Sequence, residues 1–407
     1  MRVFHSADFL LPEEQYYSTW PVIACDQFTS EKAYWERVAA RVGECPSSLR
    51  LIYPEVYLSD HMDRRIEEIN QEMQHVLAGG ILRELNDCFV YVERTLMNGS
   101  IRRGLLGVID LEAYSYQPDA DTPVRATEKT VPERIPPRVR IREHALMELS
   151  HVLLFCDDPE DLILGPLCNQ KDQLQKLYDL DLMENGGHIE GYLVSGQAAA
   201  ETGRRIDAYE SLRSARTAGA PVLYLVGDGN HSLATAKTCY ETFRAEGAGP
   251  EVLSKARYAM VELGNIRDDS LVFEPIHRLV TGTKPEKLLD DIQNICGGNG
   301  YRVHWKTGNR QGEVLLNPSL GQLPVGILQN WLDEELKVTE GSIDYIHGED
   351  SLSALSQQEN AIGFELPAIG KDAFFDAIER DGVLPRKTFS IGHAQEKRYY
   401  FEARRIR

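Results

Sequence analysis

The sequence predicts a mixed α+β fold on three observations. Apolar runs end in short polar loops and pass into helix-like stretches, paired apolar segments flank a turn dipeptide, and no low-complexity tract interrupts the 407 residues. Hydrophobic residues at 42% and charged residues at 26% are ordinary globular values, so the whole chain is expected to fold. Its length allows two or three domains. A composition shift at Thr281-Gly282-Thr283-Lys284-Pro285 places a boundary there, giving an N-terminal and central α/β region over 1–283. A C-terminal α+β subdomain over 284–407 follows, which the sequence leaves free to be integrated with the first.

The elements follow in order. The run Trp20-Pro21-Val22-Ile23-Ala24-Cys25 reads as a buried strand ending at Asp26, and Ser30 is placed to cap a helix over 31–42. A second helix is expected over 60–77, stopped by Gly79-Gly80. Residues 88–94 and 103–111 read as a strand pair turned at Asn98-Gly99. Arg138-Val139-Arg140-Ile141-Arg142 alternates with period two, which as a strand would put three arginines on one face. Apolar runs at 151–157 and 221–226 follow, the second leading through a glycine loop into a helix over 233–245. Beyond a strand at 256–263, helices at 287–295 and 374–380 alternate with strands at 361–366 and 398–404.

Charge and cysteine usage exclude several classes. A net charge of −19 repels nucleic-acid backbones and anionic membranes, so neither is an expected partner. Seven scattered cysteines without a Cys-x-x-Cys pair suggest no disulfide framework and no zinc ribbon, which fits a reducing cytoplasm. No apolar stretch reaches the roughly 20 residues needed to span a bilayer, and residues 1–20 do not read as an export signal.

The strongest local signal is Gly227-Asp228-Gly229-Asn230-His231-Ser232, between a buried strand and a helix. Such a turn presents backbone N–H groups and the positive end of the helix to an anion, with phosphate the natural occupant. Gly227 and Gly229 permit a tight turn and close approach, while Asp228 and His231 are its reactive side chains. A glycine turn with an Asp or Asn cap has the same spacing. The Walker pattern is absent, and Ser232 stands where a dinucleotide loop has glycine or alanine.

Other candidates have equally plain structural explanations. Arg125, Lys129, Arg134, Arg138, Arg140 and Arg142 could clamp a polyanion or pair with Glu128, Glu133 and Glu143. Arg125 could hold phosphate with Glu128 as base or metal ligand, Asp26 could activate a substrate hydroxyl, bind Mg²⁺ or cap its own turn, and Lys387 is the C-terminal cation promoted to the site. His144, Glu148 and His151 would share one face of a helix at metal-compatible spacing, though no zincin pattern is present and they are not taken as ligands.

Five blocks extend the reading: WPVIACDQFTS at 20–30, RATEKTVPERIPPRVRIRE at 125–143, VGDGNHSLATAK at 226–237, FEPIHR at 273–278 and PRKTFSI at 385–391. Together they resemble the bacterial domain-of-unknown-function 1015 family across essentially the whole chain. That resemblance implies a ParB/sulfiredoxin-like phosphate-binding core with additional α+β elements, related to free-serine kinases including pyrophosphate-dependent ones. The implied activity is a small-molecule phosphotransferase with Mg²⁺. It would act on the hydroxyl of free L-serine or a similar hydroxy amino acid, with pyrophosphate or a nucleotide as donor.

Under the resemblance, Asp228, His231, Asp26 and Glu128 become the catalytic candidates. Gly227, Gly229, Asn230, Ser232, Arg125 and Lys387 become the phosphate-binding ones. Common members carry Asp-Gly-His-His-Arg where this chain has Asp-Gly-Asn-His-Ser, so Asn230 and Ser232 remove an imidazole and a guanidinium from the loop. A phosphate- or nucleotide-binding sensor and a phosphomonoester hydrolase are the alternative functions.

Overall fold

A computed structural model describes residues 2–58, 61–216, 219–339, 341–385 and 387–407. Asp60, where the second helix was expected to begin, and Arg386, in the C-terminal basic block, lie outside the described residues. The fold class is α+β, as the sequence predicts. The chain divides into two compact units. One comprises Met1–Ala126, Thr130–Leu271 and His393–Arg407, and the other Thr127–Lys129 and Val272–Gly392. The division therefore falls at Leu271, ahead of the strand Phe273–Thr281, whereas the composition shift pointed to residue 283, just behind it.

The first unit is built on a sheet of eleven strands among the described residues. From one edge these run Gln175–Asp181, His188–Val194, Leu82–Thr95, Ile101–Asp110, Tyr258–Asn265, Leu153–Cys156, Tyr224–Asp228, Val124–Ala126 and Tyr114–Ser115. Phe4–His5 pairs beside Ile101–Asp110, and Ala7–Pro12 beside Leu82–Thr95. The expected hairpin forms with Val90 opposite Leu106. Its turn uses Gly99 at φ +83, while Asn98 Oδ1 accepts from Ser100 N at 2.9 Å.

Period-two alternation divides this hairpin between two apolar layers. Phe89, Tyr91, Leu105 and Ile109 join one core with Leu154, Tyr224, Val226 and Leu233. Val90, Val92, Leu106 and Val108 join the other with Ile23, Trp35, Tyr400 and Phe401. Burial of such side chains contributes about 1.5–3 kcal/mol each, which makes this two-faced sheet the main source of stability in the unit.

Several sequence expectations change in detail. The first strand shrinks to Val22–Ile23, which pairs with Tyr399–Tyr400 from the far end of the chain. The following helix is Lys32–Val42 with Glu31, not Ser30, at its N-cap. The arginine-rich stretch is not a strand but the helix Ile135–Arg142, which packs on the helix Asn230–Ala245. Pro136 and Pro137 lie in its first turn, where proline's fixed φ favours helix and its missing N–H costs nothing, and this outweighs a five-residue alternation. Its arginines pair with acids, but with partners other than the Glu128, Glu133 and Glu143 of the plain reading: Arg138 with Glu55, Arg140 with Asp63, and Arg142 with Glu148 at 2.6 Å.

The second unit carries a six-stranded antiparallel sheet among the described residues. Its path is Arg310–Leu316, Cys296–Thr307, Ala361–Glu365, Phe273–Thr281 and Ser342–His347, with Phe389–Ile391 extending the Phe273 end. Phe273, Phe374 and Phe389 pack mutually at centroid separations of 5.1–5.2 Å.

Candidate functional site

Tyr224–Asp228 is the strand that positions the glycine loop, and it lies antiparallel to Leu153–Cys156 with Asp228 opposite Leu153. The register shifts between Val226 and Asp228, placing Gly227 at an irregularity where an added Cβ would run into the Phe155 ring. Gly229, at φ +78, is the N-cap of Asn230–Ala245 and sits 3.0 Å (as a Cβ) from Val152 Cα. Left-handed backbone suits glycine, and the crowding leaves no room for a side chain. The first intrahelical bond is Leu233 N to Gly229 O at 3.0 Å, so the turn Asn230-His231-Ser232 opens the helix with its N–H groups ahead of that ladder.

Three segments distant in sequence meet this loop. His151 precedes the Leu153–Cys156 strand, so the antiparallel register brings it to the Asp228 end. Asp26 follows Val22–Ile23, with its Oδ2 3.5 Å from His151 Nε2 and its Oδ1 2.9 Å from Gln27 Nε2. Lys397 arrives on the C-terminal segment, held beside residues 22–24 by the Tyr399–Ile23 pairing and by Ala24 N to Arg398 O at 2.9 Å. Its Nζ stands 3.1 Å from Asp228 Oδ2, while Asp228 Oδ1 accepts from Gly229 N at 2.9 Å. An imidazole beside Asp26 and a cation beside Asp228 thus stand at the site, groups of the kinds that Asn230 and Ser232 remove from the loop itself.

Lys397 is delivered by buried arginines. Arg94 Nη1 donates to Lys397 O at 2.5 Å and Nη2 to Gln395 O at 2.6 Å, and Arg102 Nη1 donates to Glu396 O at 2.8 Å. Arg398 turns the other way, to Glu262 at 2.8 Å and Glu402 at 2.7 Å.

The electrostatics follow from burial and pairing. Burial alone would raise the Asp26 carboxyl, but His151, Gln27 and Lys397 outweigh it and hold it well below the usual carboxylate range. Burial likewise opposes a charge on His151, yet Asp26 and then Asp228 leave its pKa raised against the counter-effect of Arg138. His231 behaves oppositely. Burial, with Arg138 and Arg134 nearby, lowers it to about 4 against the weaker pull of Asp26.

His231 Nε2 accepts from Val131 N at 3.1 Å, so the ring is neutral there with its proton on Nδ1. Beside the site lies a cavity of about 130 Å³. Cys25, His151, Ser232 and Tyr400 line it together with apolar residues such as Leu51 and Met73.

Of the remaining candidates, Arg125 is held away from the loop. Arg125 donates to Thr122 O and Ala220 O, both at 3.0 Å. These carbonyls precede the parallel strands Val124–Ala126 and Tyr224–Asp228, so the guanidinium sits at the end opposite the loop, about 13–16 Å away at strand rise. The phosphate-clamp expectation for Arg125 is corrected accordingly. Glu128 and Lys387 belong to the second unit, where Glu128 Oε1 accepts from Thr388 N at 3.0 Å and Lys387 has φ +57. Burial raises the Glu128 carboxyl despite hydrogen bonds from Thr388 and Lys387 and the charges of Lys387 and Arg278.

The helix face imagined for His144, Glu148 and His151 does not form, because Ile135–Arg142 ends before all three and Glu148 lies in the strand Met147–Glu148. Lys397 and Tyr400 are residues that sequence reasoning left out of the site, and His151 was weighed only for a metal-binding helix face and set aside. The signals available were a histidine at the edge of a buried apolar run and a lysine beside aromatic residues that prove to be fully buried.

Fold and loop together define an α+β chain with a helix-opening glycine turn among paired acids and bases. It belongs to the DUF1015 family, described as proteins of unknown function, whose profile matches residues 8–362. No curated protein matches the chain.

Similar solved structures include SbnI with a C-terminal truncation from Staphylococcus aureus, at 11% identity over 70% of this chain and 83% of that one, TM-score 0.36. A free serine kinase in complex with AMP is similar at 11% identity over 74% and 91%, TM-score 0.38. A conserved hypothetical protein from Pyrococcus furiosus is similar at 11% identity over 70% and 90%, TM-score 0.35. No helix among the described residues is long and apolar enough to cross a membrane.

Proposed function

We propose that the chain is a small-molecule phosphotransferase that moves a phosphoryl group from pyrophosphate or a nucleotide to the hydroxyl of serine or a similar hydroxy amino acid. The observation that carries this reading is the meeting of Asp26, Asp228, His151 and Lys397 at the opening of the Asn230–Ala245 helix. Phosphoryl transfer proceeds through a loose transition state and asks chiefly for positioning and charge neutralisation. The helix's first turn and Lys397 supply positive potential for the phosphate oxygens, and Asp228 holds both Lys397 and the loop in place. Asp26, kept ionised, orients the acceptor hydroxyl. His231 acts by positioning, since its Nε2 is engaged by Val131 N–H.

Mg²⁺ enters this proposal only as the counter-ion of the donor's phosphates. Among the described residues no group of three or more His, Cys, Asp or Glu is arranged to hold a metal; Asp228 faces Lys397 and Asp26 faces the His151 ring. Mg²⁺ is commonly held by one or two carboxylates together with substrate phosphates, so Asp26 and Asp228 are the residues that would hold the ion with its donor, and no step is assigned to it.

The test is direct: protein with serine and Mg²⁺ salts of pyrophosphate, ADP or ATP, assayed for phosphoserine. Asp26→Asn and Asp228→Asn should each lower turnover about 100-fold or more with an unchanged circular-dichroism spectrum. Absence of phosphoserine with every donor would sink the kinase reading for this acceptor. Calorimetric binding of a phosphorylated ligand without turnover would then favour the sensor, and phosphate release from phosphoserine alone would favour the hydrolase.

A further inference from the structure

The cavity of about 130 Å³ beside the glycine loop has a wall of one kind and an end of another. Leu51, Ile52, Met73, Ile141, Met147 and Leu149 form the apolar part, and Ile141 and Leu149 are only partly buried, so apolar surface is left uncovered there. The charged groups in the wall are already paired, Arg138 with Glu55 and Arg142 with Glu148 at 2.6 Å. The hydroxyls are occupied as well: Tyr400 Oη meets His151 Nδ1 at 2.7 Å, and Thr235 Oγ1 donates to His231 O at 2.7 Å. A molecule entering the cavity therefore gains chiefly by covering carbon.

Position assigns the cavity to one side of the site. Cys25, next to Asp26 in the chain, lines it, and so does His151, whose Nε2 stands 3.5 Å from Asp26 Oδ2. Ser232 and Thr235 also line it, and residues three apart share one flank of the helix Asn230–Ala245. The cavity thus runs along the side of that helix from the Asp26 end, whereas the donor's phosphates are placed over its opening turn. An apolar cavity of about 150 Å³ accepts a benzene ring, so this one matches a phenyl ring or a branched alkyl group. Serine, with a single methylene beside its hydroxyl, would leave it empty.

We propose that the cavity seats an apolar group of the acceptor, so that the preferred acceptor is a hydroxy amino acid with a branched or aromatic side chain larger than that of serine. The proposal rests on the reading of Asp26 as the group that orients the acceptor hydroxyl. Seating the apolar group beside His151 and Cys25 keeps that hydroxyl at the Asp26 end, and the covered carbon surface contributes binding that serine lacks.

Two measurements on the full chain test this. In the phosphotransfer assay, kcat/KM should rise from serine through β-hydroxyleucine to β-phenylserine, by about 100-fold or more overall, since one well-seated methylene is worth about tenfold at the least. Ala145 is a buried residue of the wall, and Ala145→Leu adds an isopropyl group there. It should abolish the preference for β-phenylserine and leave turnover of serine unchanged. Serine used as well as β-phenylserine by the native chain, or a preference that survives in a folded Ala145→Leu, would overturn the proposal.

The second measurement needs no turnover. In methyl-¹³C methionine spectra, with signals assigned through Met73→Leu and Met147→Leu, β-phenylserine without donor should shift both methyls and serine should shift neither. Unmoved methyls would overturn the proposal even if serine is phosphorylated. Equal shifts with adenosine would also overturn it, by giving the cavity to a nucleotide's base. Shifts with β-phenylserine but no phosphorylation of any acceptor would sink the phosphotransferase reading and leave the cavity as the seat of the apolar group.

Discussion

Gly227 and Gly229 stand two residues apart for different reasons. Gly229 answers to its own backbone, at φ +78, whereas Gly227 answers to the Phe155 ring across the sheet. The sequence shows two glycines in a loop and assigns both to an anion nest. Only the partner strand reveals that one of them makes room for a side chain. His231 is similar: its place after the glycine turn suggests a reactive group, yet it receives a backbone N–H and is held neutral.

Because its folded pKa of about 4 lies below the ordinary 6.5, the unfolded chain binds that proton first as pH falls. The contribution of neutral His231 is therefore complete above pH 6.5 and is lost progressively towards pH 4. Urea midpoints at pH 7 and pH 5 should fall further in the native chain than in His231→Gln. Equal falls would show that His231 is not the group responsible.

Among the elements, the longest helix of the first unit, Gly196–Arg216, was not legible in the sequence. Its buried residues are Thr202, Gly203, Ile206, Tyr209, Glu210 and Arg213, correctly spaced for one face but mostly polar, so the usual apolar stripe is missing. What the face buries instead is a hydrogen-bonding network. Glu210 accepts from Val3 N at 3.0 Å, Phe4 N at 3.3 Å and Tyr224 Oη at 3.0 Å, and Arg213 pairs with Asp157 at 3.1 Å.

Glu210→Ala strands those three donors in the interior. At about 1–3 kcal/mol for each unsatisfied group, the loss should reach at least about 3 kcal/mol in urea unfolding. A loss below 1 kcal/mol would mean that water reaches them. The helix Ile135–Arg142 fails in the opposite direction: its alternation looked like a strand, and prolines in the first turn decided otherwise.

For the first unit as a whole, the last fifteen residues are a structural component rather than a tail. Tyr399 and Tyr400 pair with Val22–Ile23, Ala403 bridges to Leu10, and Arg404 bonds Glu148 at 2.7 Å. Tyr399, Tyr400, Phe401 and Ile406 are all buried. At about 1.5–3 kcal/mol each, the four contribute roughly 6–12 kcal/mol as an upper estimate. A typical domain's entire stability is about 5–15 kcal/mol. A chain ending at residue 392 should therefore lose cooperative thermal unfolding of this unit and the Lys397 contact with Asp228 together. Retention of a sharp transition at the native temperature would refute that estimate.

The sequence by itself determined what is local. The α+β class, the hairpin at Asn98-Gly99 and the passage from buried strand through glycine loop to helix all follow from apolar periodicity and turn chemistry, which act over a few residues. The tertiary structure decided which side chains share the loop. Asp26, His151, Asp228 and Lys397 are separated by up to 371 positions, 397 − 26, and no spacing rule relates them. They meet because the register of Leu153–Cys156 on Tyr224–Asp228 and the pairing of Tyr399–Tyr400 with Val22–Ile23 bring four distant stretches of backbone to one place. The Arg125 guanidinium turns back to Thr122 O and Ala220 O, ahead of both strands, so its proximity to the loop in the argument from sequence had no counterpart in space.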